Sequence, residues 1–227
     1  MIKRLLSCMA LVATGLAVTA LPASAATTTV LMFTGTETTG TVAHDVSGHG
    51  NDGTLHTIKL TGSAYSFNGT NSYISVPASS TLNPGTANYG YGVTMQLPAG
   101  YSFTHDLSLV RRGASKFAGA YYKMELVYNK TTGNVRLECA LRDANGHTGF
   151  VATRGLSLAD GAWHTLTCTK TATTVALTKD SSTYTKPATL GNLSSTHPLN
   201  FGAEQVTDIS FWEHFPGLMK NITITKG

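Results

Sequence analysis

The stretch DGAWHTLTCTKTATTVALTKDSSTY, residues 160–184, decides the fold of this chain. It opens on the turn formers Asp160 and Gly161, and bulky residues alternate with small or polar ones over 163–170 and again over 174–179. Runs of β-branched and aromatic residues bounded by turn formers are typical of β-hairpins. The stretch therefore predicts a hairpin with one apolar face, and we expect Trp163 to anchor that face in the core.

The first 25 residues have the layout of a Sec signal peptide. Lys3 and Arg4 give a basic start, residues 5–21 are apolar, and the small residues 23–25 form a cleavage site behind Pro22. An uncleaved anchor is the alternative, because the apolar run is near transmembrane length. The small-residue site favours cleavage. We therefore predict a secreted protein whose mature domain spans residues 26–227 and has no membrane span.

Removal of the signal peptide leaves two of the three cysteines, Cys139 and Cys168. In an exported chain such a pair forms a disulfide by default. Cys139 shares one face of an alternating strand with Leu137 and Leu141, and Cys168 shares a face with Leu166. Both sulfurs then point to the apolar side. We predict a Cys139–Cys168 disulfide, with two buried free thiols as the alternative.

The composition suits a β-sandwich with polar outer faces. Charged residues make up 12% of the chain, while Thr, Ser, Gly and Asn are abundant. The formal net charge is +4, and removal of Lys3 and Arg4 leaves fourteen basic against twelve acidic residues. So small an excess of positive charge predicts no nucleic-acid partner.

Short strand-like runs recur along the mature chain, with turn formers between them and no helical pattern longer than about two turns. The runs lie at 30–33, 54–60, 64–67, 73–76, 92–97, 107–111, 121–128, 134–142, 149–153, 163–170, 174–179, 199–202, 209–212 and 218–225. Neither an internal repeat nor a linker divides the chain. The pattern predicts one all-β domain, either a sandwich or a barrel.

Four segments match one family pattern in the correct order. They are DVSGHGNDGTL (45–55), YSFNGTNSYISVP (65–77), DGAWH (160–164) and FPGLMKNITIT (215–225). Together they cover nearly the whole mature chain and resemble LamG-like domains, most closely those of secreted actinobacterial proteins. The resemblance implies a concanavalin A-like jelly-roll β-sandwich of two antiparallel sheets and a lectin-like function.

The pattern of acidic residues argues against catalysis. Glycoside hydrolysis normally needs two carboxylates flanking one bond, and laminarinase-type relatives carry them in a Glu-x-Asp-x-x-Glu run. This chain lacks that run, its acids are scattered singly, and Glu125 offers one carboxylate. The G-x-S-x-G and H-E-x-x-H motifs are also absent from the sequence. We therefore predict that the protein is not an enzyme.

Calcium is the metal that the resemblance implies, held by oxygen ligands. Where the family has acids, this chain has neutral or basic residues, so the remaining candidate ligands are Asp45 and Asp52, with Glu204 and Asp208. Turn capping by a short side chain is the simpler role for Asp45 and Asp52. We predict no cofactor, with calcium at Asp45 and Asp52 as the alternative.

Sugar binding requires an exposed aromatic plate and a few oriented polar groups. Trp212, Glu213 and His214 stand together before the last strand, and Tyr89 and Tyr91 form a second aromatic pair. An aromatic residue at a strand end often belongs to the core instead, but the polar neighbours of Trp212 indicate solvent on one side. We predict that these five residues contact the ligand.

These patterns together predict a secreted, non-catalytic, lectin-like domain. Its expected partner is a glycan or another cell-surface polymer. The alternative is a protein-interaction or structural module of the cell envelope, which would have protein partners. A glycan hydrolase with an unrecognised site is the third hypothesis.

Overall fold

The computed structural model describes residues 27–113, 119–153, 157–207 and 210–227. The predicted signal peptide, residues 1–25, lies outside them. No helix in the described part of the chain has the length and apolarity needed to cross a membrane. The described strands are β1 Thr28–Phe33, β2 Val42–Ala43, β3 Gly53–His56, β4 Lys59–Leu60, β5 Tyr65–Asn68, β6 Tyr73–Val76, β7 Tyr89–Gln96, β8 Leu107–Arg112, β9 Tyr121–Tyr128, β10 Val135–Arg142, β11 Thr148–Ala152, β12 His164–Lys170, β13 Thr174–Lys179, β14 Ser182–Pro187, β15 Leu199–Phe201, β16 Glu204–Thr207, β17 Ser210–Trp212 and β18 Pro216–Lys226.

Two antiparallel sheets pack around one apolar core. Sheet A has the strand order β14-β13-β12-β7-β18-β5-β4, and β1 also pairs with β18. Sheet B has the order β11-β10-β9-β8-β15-β6-β3-β2, and β16 and β17 form a separate hairpin. The predicted fold class, an all-β jelly-roll sandwich of two antiparallel sheets, is confirmed.

Strand β18 holds sheet A together because it is paired along both of its edges. One edge pairs with β7, while the other pairs first with β5 and then with β1. Its side chains Ile222 and Ile224 are fully buried in the core. The middle of sheet A therefore depends on pairing between residues that are far apart in sequence.

The hairpin predicted within residues 160–184 is present. Strands β12 and β13 pair antiparallel, and β14 continues the sheet beyond them. The turn between β13 and β14 contains Asp180 at a φ of 52°, a left-handed conformation that Asp tolerates better than most residues. Leu166 and Cys168 are fully buried, as their shared face predicts.

Trp163 does not anchor this hairpin in the core, so that prediction is wrong. Its exposed fraction is 37%, and the Lys220 ammonium lies 4.2 Å from the centroid of its ring. The buried face of β12 begins at His164 and continues with every second residue. Trp163 has the opposite parity and therefore lies on the outer side of sheet A.

The disulfide joins the two sheets through the core. Cys139 of β10 and Cys168 of β12 are bonded, with a Cα–Cα distance of 5.8 Å. Both residues are fully buried. Because β10 belongs to sheet B and β12 to sheet A, the bond crosses the interface between the layers. The predicted pairing is confirmed.

A buried arginine ties two loops to the core. A β-bulge interrupts the alternation of β8, and Arg112 beyond it points inward with no exposed surface. Its guanidinium donates to the carbonyl oxygens of Leu82 at 2.7 Å, Ser195 at 2.7 Å and His197 at 3.0 Å. Since a buried charge is tolerated only when it is hydrogen-bonded, these three bonds hold the arginine and the loops in place.

The turn after β10 is organised by the buried carboxylate of Asp143. It accepts backbone N–H bonds from Asn145, His147 and Gly191, and it contacts the His147 ring at 2.8 Å. Burial acts to raise the pKa of Asp143, but these hydrogen bonds outweigh it and lower the pKa to about 2. The ionised form of Asp143 therefore stabilises the folded state.

Asp143→Asn is expected to lower the free energy of unfolding by about 2 kcal/mol at pH 7. The folded-state pKa lies below the ordinary value of 3.8, so the contribution is present above pH 4 and is lost as the pH falls through about 2. Urea unfolding of both proteins at pH 7 and pH 2 measures the difference, which should shrink below about 0.5 kcal/mol at pH 2. An equal difference at both pH values would contradict this. Asp52→Asn, at a half-exposed carboxylate, is the control.

Candidate functional site

The outer face of sheet B carries charged side chains that are nevertheless buried. Strand β8 contributes Arg111, β9 contributes Lys123 and Glu125, and β10 places Glu138 directly opposite Glu125. Arg111, Glu125 and Glu138 are each no more than 4% exposed. The β16–β17 hairpin reaches this face, because Glu204 at the start of β16 pairs with Arg111. This part of the sheet surface is therefore shielded from water.

Three glutamates converge on one arginine. We call this group the acid cluster; it consists of Arg111, Glu125, Glu204 and Glu213. Nη1 of Arg111 is 3.0 Å from Oε2 of Glu125 and 3.8 Å from Oε2 of Glu213. Nη2 donates to Glu204, and the Lys123 ammonium pairs with the second oxygen of Glu125. The expectation that the acids are scattered singly is wrong for these three, because the sheet brings together residues distant in sequence.

Glu213 is the least compensated carboxyl of the acid cluster. Arg111 is shared by Glu125 and Glu204 at hydrogen-bond distance, whereas Glu213 lies beyond it. Burial, followed by the charges of Glu125 and Glu204, raises the pKa of Glu213 to about 8 against the opposing charge of Arg111. The Glu213 side chain is therefore mostly protonated at pH 7.

A cleft of about 600 Å³ opens beside the acid cluster. Trp212 presents the most exposed large apolar side chain among the described residues, at 64%. The volume is within the range of ligand-binding pockets, and an aromatic plate with polar groups around it suits a sugar. The cleft, hereafter the Trp212 cleft, is lined by His105, Asp106, Tyr128, Lys130, Trp212 and Glu213.

Backbone contacts fix the acidic walls of the Trp212 cleft. Oδ1 of Asp106 accepts a hydrogen bond of 2.8 Å from the N–H of Tyr128. Glu213 adopts a φ of 55°, and its carbonyl oxygen accepts a bond of 2.8 Å from the N–H of Ser108. A left-handed backbone at a residue other than glycine costs about 1–3 kcal/mol and persists only where the surroundings impose it. The backbone position from which the Glu213 side chain projects is thus set by the fold.

The structure separates the three residues predicted at the final turn. Trp212 and Glu213 both line the cleft, whereas Nδ1 of His214 lies 3.4 Å from the carbonyl oxygen of Ser72, outside the cleft lining. Four lining residues were not singled out from the sequence: His105, Asp106, Tyr128 and Lys130. They stand beside the ends of β8 and β9 without a motif that marks them, and the charges alternating with apolar residues in β9 could have located only Lys123 and Glu125 on one face.

Tyr89 and Tyr91 were predicted to contact a ligand, and this is wrong. Both rings are at most 2% exposed and pack with Tyr122 in the core. The Tyr89 hydroxyl lies 2.9 Å from that of Tyr122, and the Tyr91 hydroxyl donates to the carbonyl oxygen of Lys123 at 3.0 Å. Their hydroxyls are satisfied inside the protein, so neither ring is presented to solvent.

Asp45 and Asp52 do not fit a calcium site. The Asp45 carboxylate accepts N–H bonds of 2.9 Å from Met32, Ser47 and Asn51, and Asp52 accepts one of 2.7 Å from Asp45. Burial acts to raise the pKa of Asp45, but these bonds outweigh it and lower the pKa. Oxygens that already accept N–H donors cap a turn, which confirms the turn-capping interpretation. Asp208, another candidate ligand, lies outside the described residues.

Two further cavities are poorer candidates. One of about 280 Å³, at the turn between β9 and β10, is lined by Val127 and Arg136 among others, with no aromatic ring in its described lining. Another of about 500 Å³ lies beside β18, and its described lining carries no ionisable group. Neither combines an exposed aromatic plate with oriented polar groups, as the Trp212 cleft does.

No protein-family model matches the chain, and no curated protein matches it. Its fold nevertheless matches solved structures. The binding domain of Paraclostridial Mosquitocidal Protein 1 is similar with a TM-score of 0.66 and 15% identity, over 88% of this chain and 48% of that chain. The chain thus spans about half the length of that match.

Two other structures share the fold. Domain 4 of AbnA, a GH43 extracellular arabinanase from Geobacillus stearothermophilus in complex with arabinotriose, has a TM-score of 0.60 and 16% identity over 88% of this chain and 93% of that one. Domains LG4-5 of the mouse laminin alpha1 chain have a TM-score of 0.51 and 14% identity over 71% of this chain and 40% of that chain. The predicted resemblance to LamG-like domains therefore holds at the level of fold.

Proposed function

We propose that this protein is a secreted, non-catalytic carbohydrate-binding domain, formed by residues 26–227, that holds a glycan in the Trp212 cleft. The observation that supports it most is the exposed ring of Trp212 beside Asp106, Lys130 and Glu213. A sugar stacks its apolar face on an aromatic ring while its hydroxyls bind polar groups at the edge. The arabinotriose complex of the AbnA domain, which shares the fold, supports the same proposal.

Trp212→Ala is expected to weaken glycan binding at least about tenfold, because loss of the stacking plate removes about 1.4 kcal/mol or more of binding free energy. The mature protein is applied to a glycan array that includes arabinotriose, and affinity for the bound glycans is measured by calorimetry. Trp163→Ala is the matched control, since it removes the other tryptophan from the outer side of sheet A. Equal losses in both variants, or no binding to any glycan, would contradict the proposal.

Hydrolysis is a second candidate function, favoured by the convergence of carboxyl groups. Glu125 and Glu204 are engaged by Arg111, which leaves Asp106 and the protonated Glu213 in the cleft. Two carboxyl groups in one cleft are the groups that glycosidases use. Incubation with arabinan, followed by a reducing-sugar assay, distinguishes the two functions. Release of reducing ends that Glu213→Gln abolishes would establish hydrolysis and overturn the non-catalytic proposal.

A further inference from the structure

Glu213 stands where the acid cluster meets the Trp212 cleft. Its Oε2 is enclosed, lies 3.8 Å from Nη1 of Arg111 and has no hydrogen-bond partner among the described residues. The side chain keeps 22% of its surface exposed while lining the cleft. Oε2 is therefore buried against the cluster, while another part of the side chain faces the space that a ligand would enter.

Acidic groups outnumber the cations around Glu213. Asp106 precedes β8, Glu125 projects from β9 and Glu204 from β16, while Arg111 is the cation that reaches all three glutamates. Lys123 pairs with Glu125, which faces Glu138 across the sheet, and Arg136 pairs with Glu138. His105, Tyr128 and Lys130 complete the cleft wall. Arg111, Lys123 and Arg136 thus face four glutamates, and protonation of Glu213 balances the group.

A bound glycan would make this imbalance more costly. Covering the cleft removes the water that still reaches Glu213, and an ionised carboxyl loses more solvation than a neutral one. A neutral carboxyl group also has an O–H donor, which a carboxylate lacks. Both effects favour a ligand complex in which Glu213 carries its proton.

On the basis of the proposed function, we propose that Glu213 is the specificity-determining residue of the Trp212 cleft. The protonated Glu213 side chain binds an uncharged glycan and donates a hydrogen bond to a sugar oxygen. The glycan and the proton then bind together. A cationic sugar would instead favour the ionised carboxylate and would have to displace the proton, so the cleft favours neutral ligands while Glu213 is protonated.

The test is the pH profile of glycan binding. For the wild-type protein, affinity for array glycans that include arabinotriose is expected to fall about tenfold from pH 7 to pH 9, because Glu213 ionises at about pH 8. Glu213→Gln retains a neutral donor of the same shape, so its affinity at pH 9 should equal its affinity at pH 7. In Glu204→Gln, Arg111 is free to pair with Glu213, and this pairing lowers the pKa of Glu213. The glycan affinity of this variant should therefore begin to fall at a lower pH than that of the wild-type protein.

A second measurement follows the proton without any ligand. Trp163→Phe leaves Trp212 as the only tryptophan, and its fluorescence should titrate near pH 8 when Glu213 is present and not in Glu213→Gln. A wild-type affinity that is constant from pH 7 to pH 9, or an equal fall in Glu213→Gln, overturns the inference and leaves the proposed function intact. Persistence of the fluorescence titration in Glu213→Gln also overturns the inference and leaves the proposed function intact. Absence of glycan binding at both pH values overturns the proposed function and this inference with it.

Discussion

Arg112→Ala is expected to lower the free energy of unfolding by about 3–5 kcal/mol, a large fraction of the stability of a domain of this size. The substitution removes a fully buried side chain and its hydrogen bonds to the carbonyl oxygens of Leu82, Ser195 and His197, although the Leu82 carbonyl keeps a bond of 3.1 Å from the Tyr89 hydroxyl. Loss of a hydrogen bond to a charged donor costs about 1.5–3 kcal/mol. Urea unfolding with linear extrapolation measures the change.

Arg142→Ala is the matched control for this prediction. Arg142 also donates to a backbone carbonyl, that of Gly119 at 3.0 Å, but it does so at the surface. Its removal should cost less than about 1 kcal/mol. The loss in the free energy of unfolding for Arg112→Lys should lie between those of Arg112→Ala and Arg142→Ala, since one ammonium cannot reproduce the planar array of guanidinium donors. Equal losses for Arg112→Ala and Arg142→Ala would show that the buried arginine does not hold the two loops.

Removal of the disulfide should cost roughly 3–4 kcal/mol. The bond joins residues 29 apart in sequence and lies between the two sheets. Without it the unfolded chain regains the freedom that loop closure had removed, while the native packing loses its covalent link. The double variant Cys139→Ala, Cys168→Ala keeps the side chains small and apolar, and comparison of its urea midpoint with that of the oxidised protein gives the difference.

Reduction provides an independent check of the same bond. Dithiothreitol should bring the unfolding midpoint of the wild-type protein to that of the double variant and should leave the double variant unchanged. Thiol titration of the denatured mature protein should find two thiols only after reduction. Two free thiols before reduction, or a stability loss below about 1 kcal/mol, would contradict a stabilising inter-sheet disulfide.

The strands and the disulfide could be predicted because their signals are local. Alternation with a period of two places Leu166 and Cys168 on one face whatever the rest of the chain does. The same rule places Cys139 with Leu137. Strand β14 was missed because every one of its residues is exposed, so its sequence carries no alternation in hydrophobicity. Its hydrogen bonds with β13 hold it in the sheet instead.

The candidate site was largely hidden from sequence reasoning because it is built from distant residues. Trp212 and Glu213 could be singled out by the mixture of aromatic and charged side chains at one turn. Arg111, Glu125 and Glu204 meet only after β8, β9 and β16 are assembled. The exposure of Trp163 and the burial of Tyr89 were mispredicted because residue type alone does not say which side of a sheet a ring faces.

The position of β18 has a consequence for when the molecule can form. This strand comes last among those described, yet it fills the space between β7 on one side and β5 and β1 on the other. Until residues 216–226 have been synthesised, sheet A lacks the strand that joins β7 to β5 and β1, and the backbone N–H and C=O groups at those strand edges have no partner strand. This layer can therefore be completed only after the C-terminal segment is available.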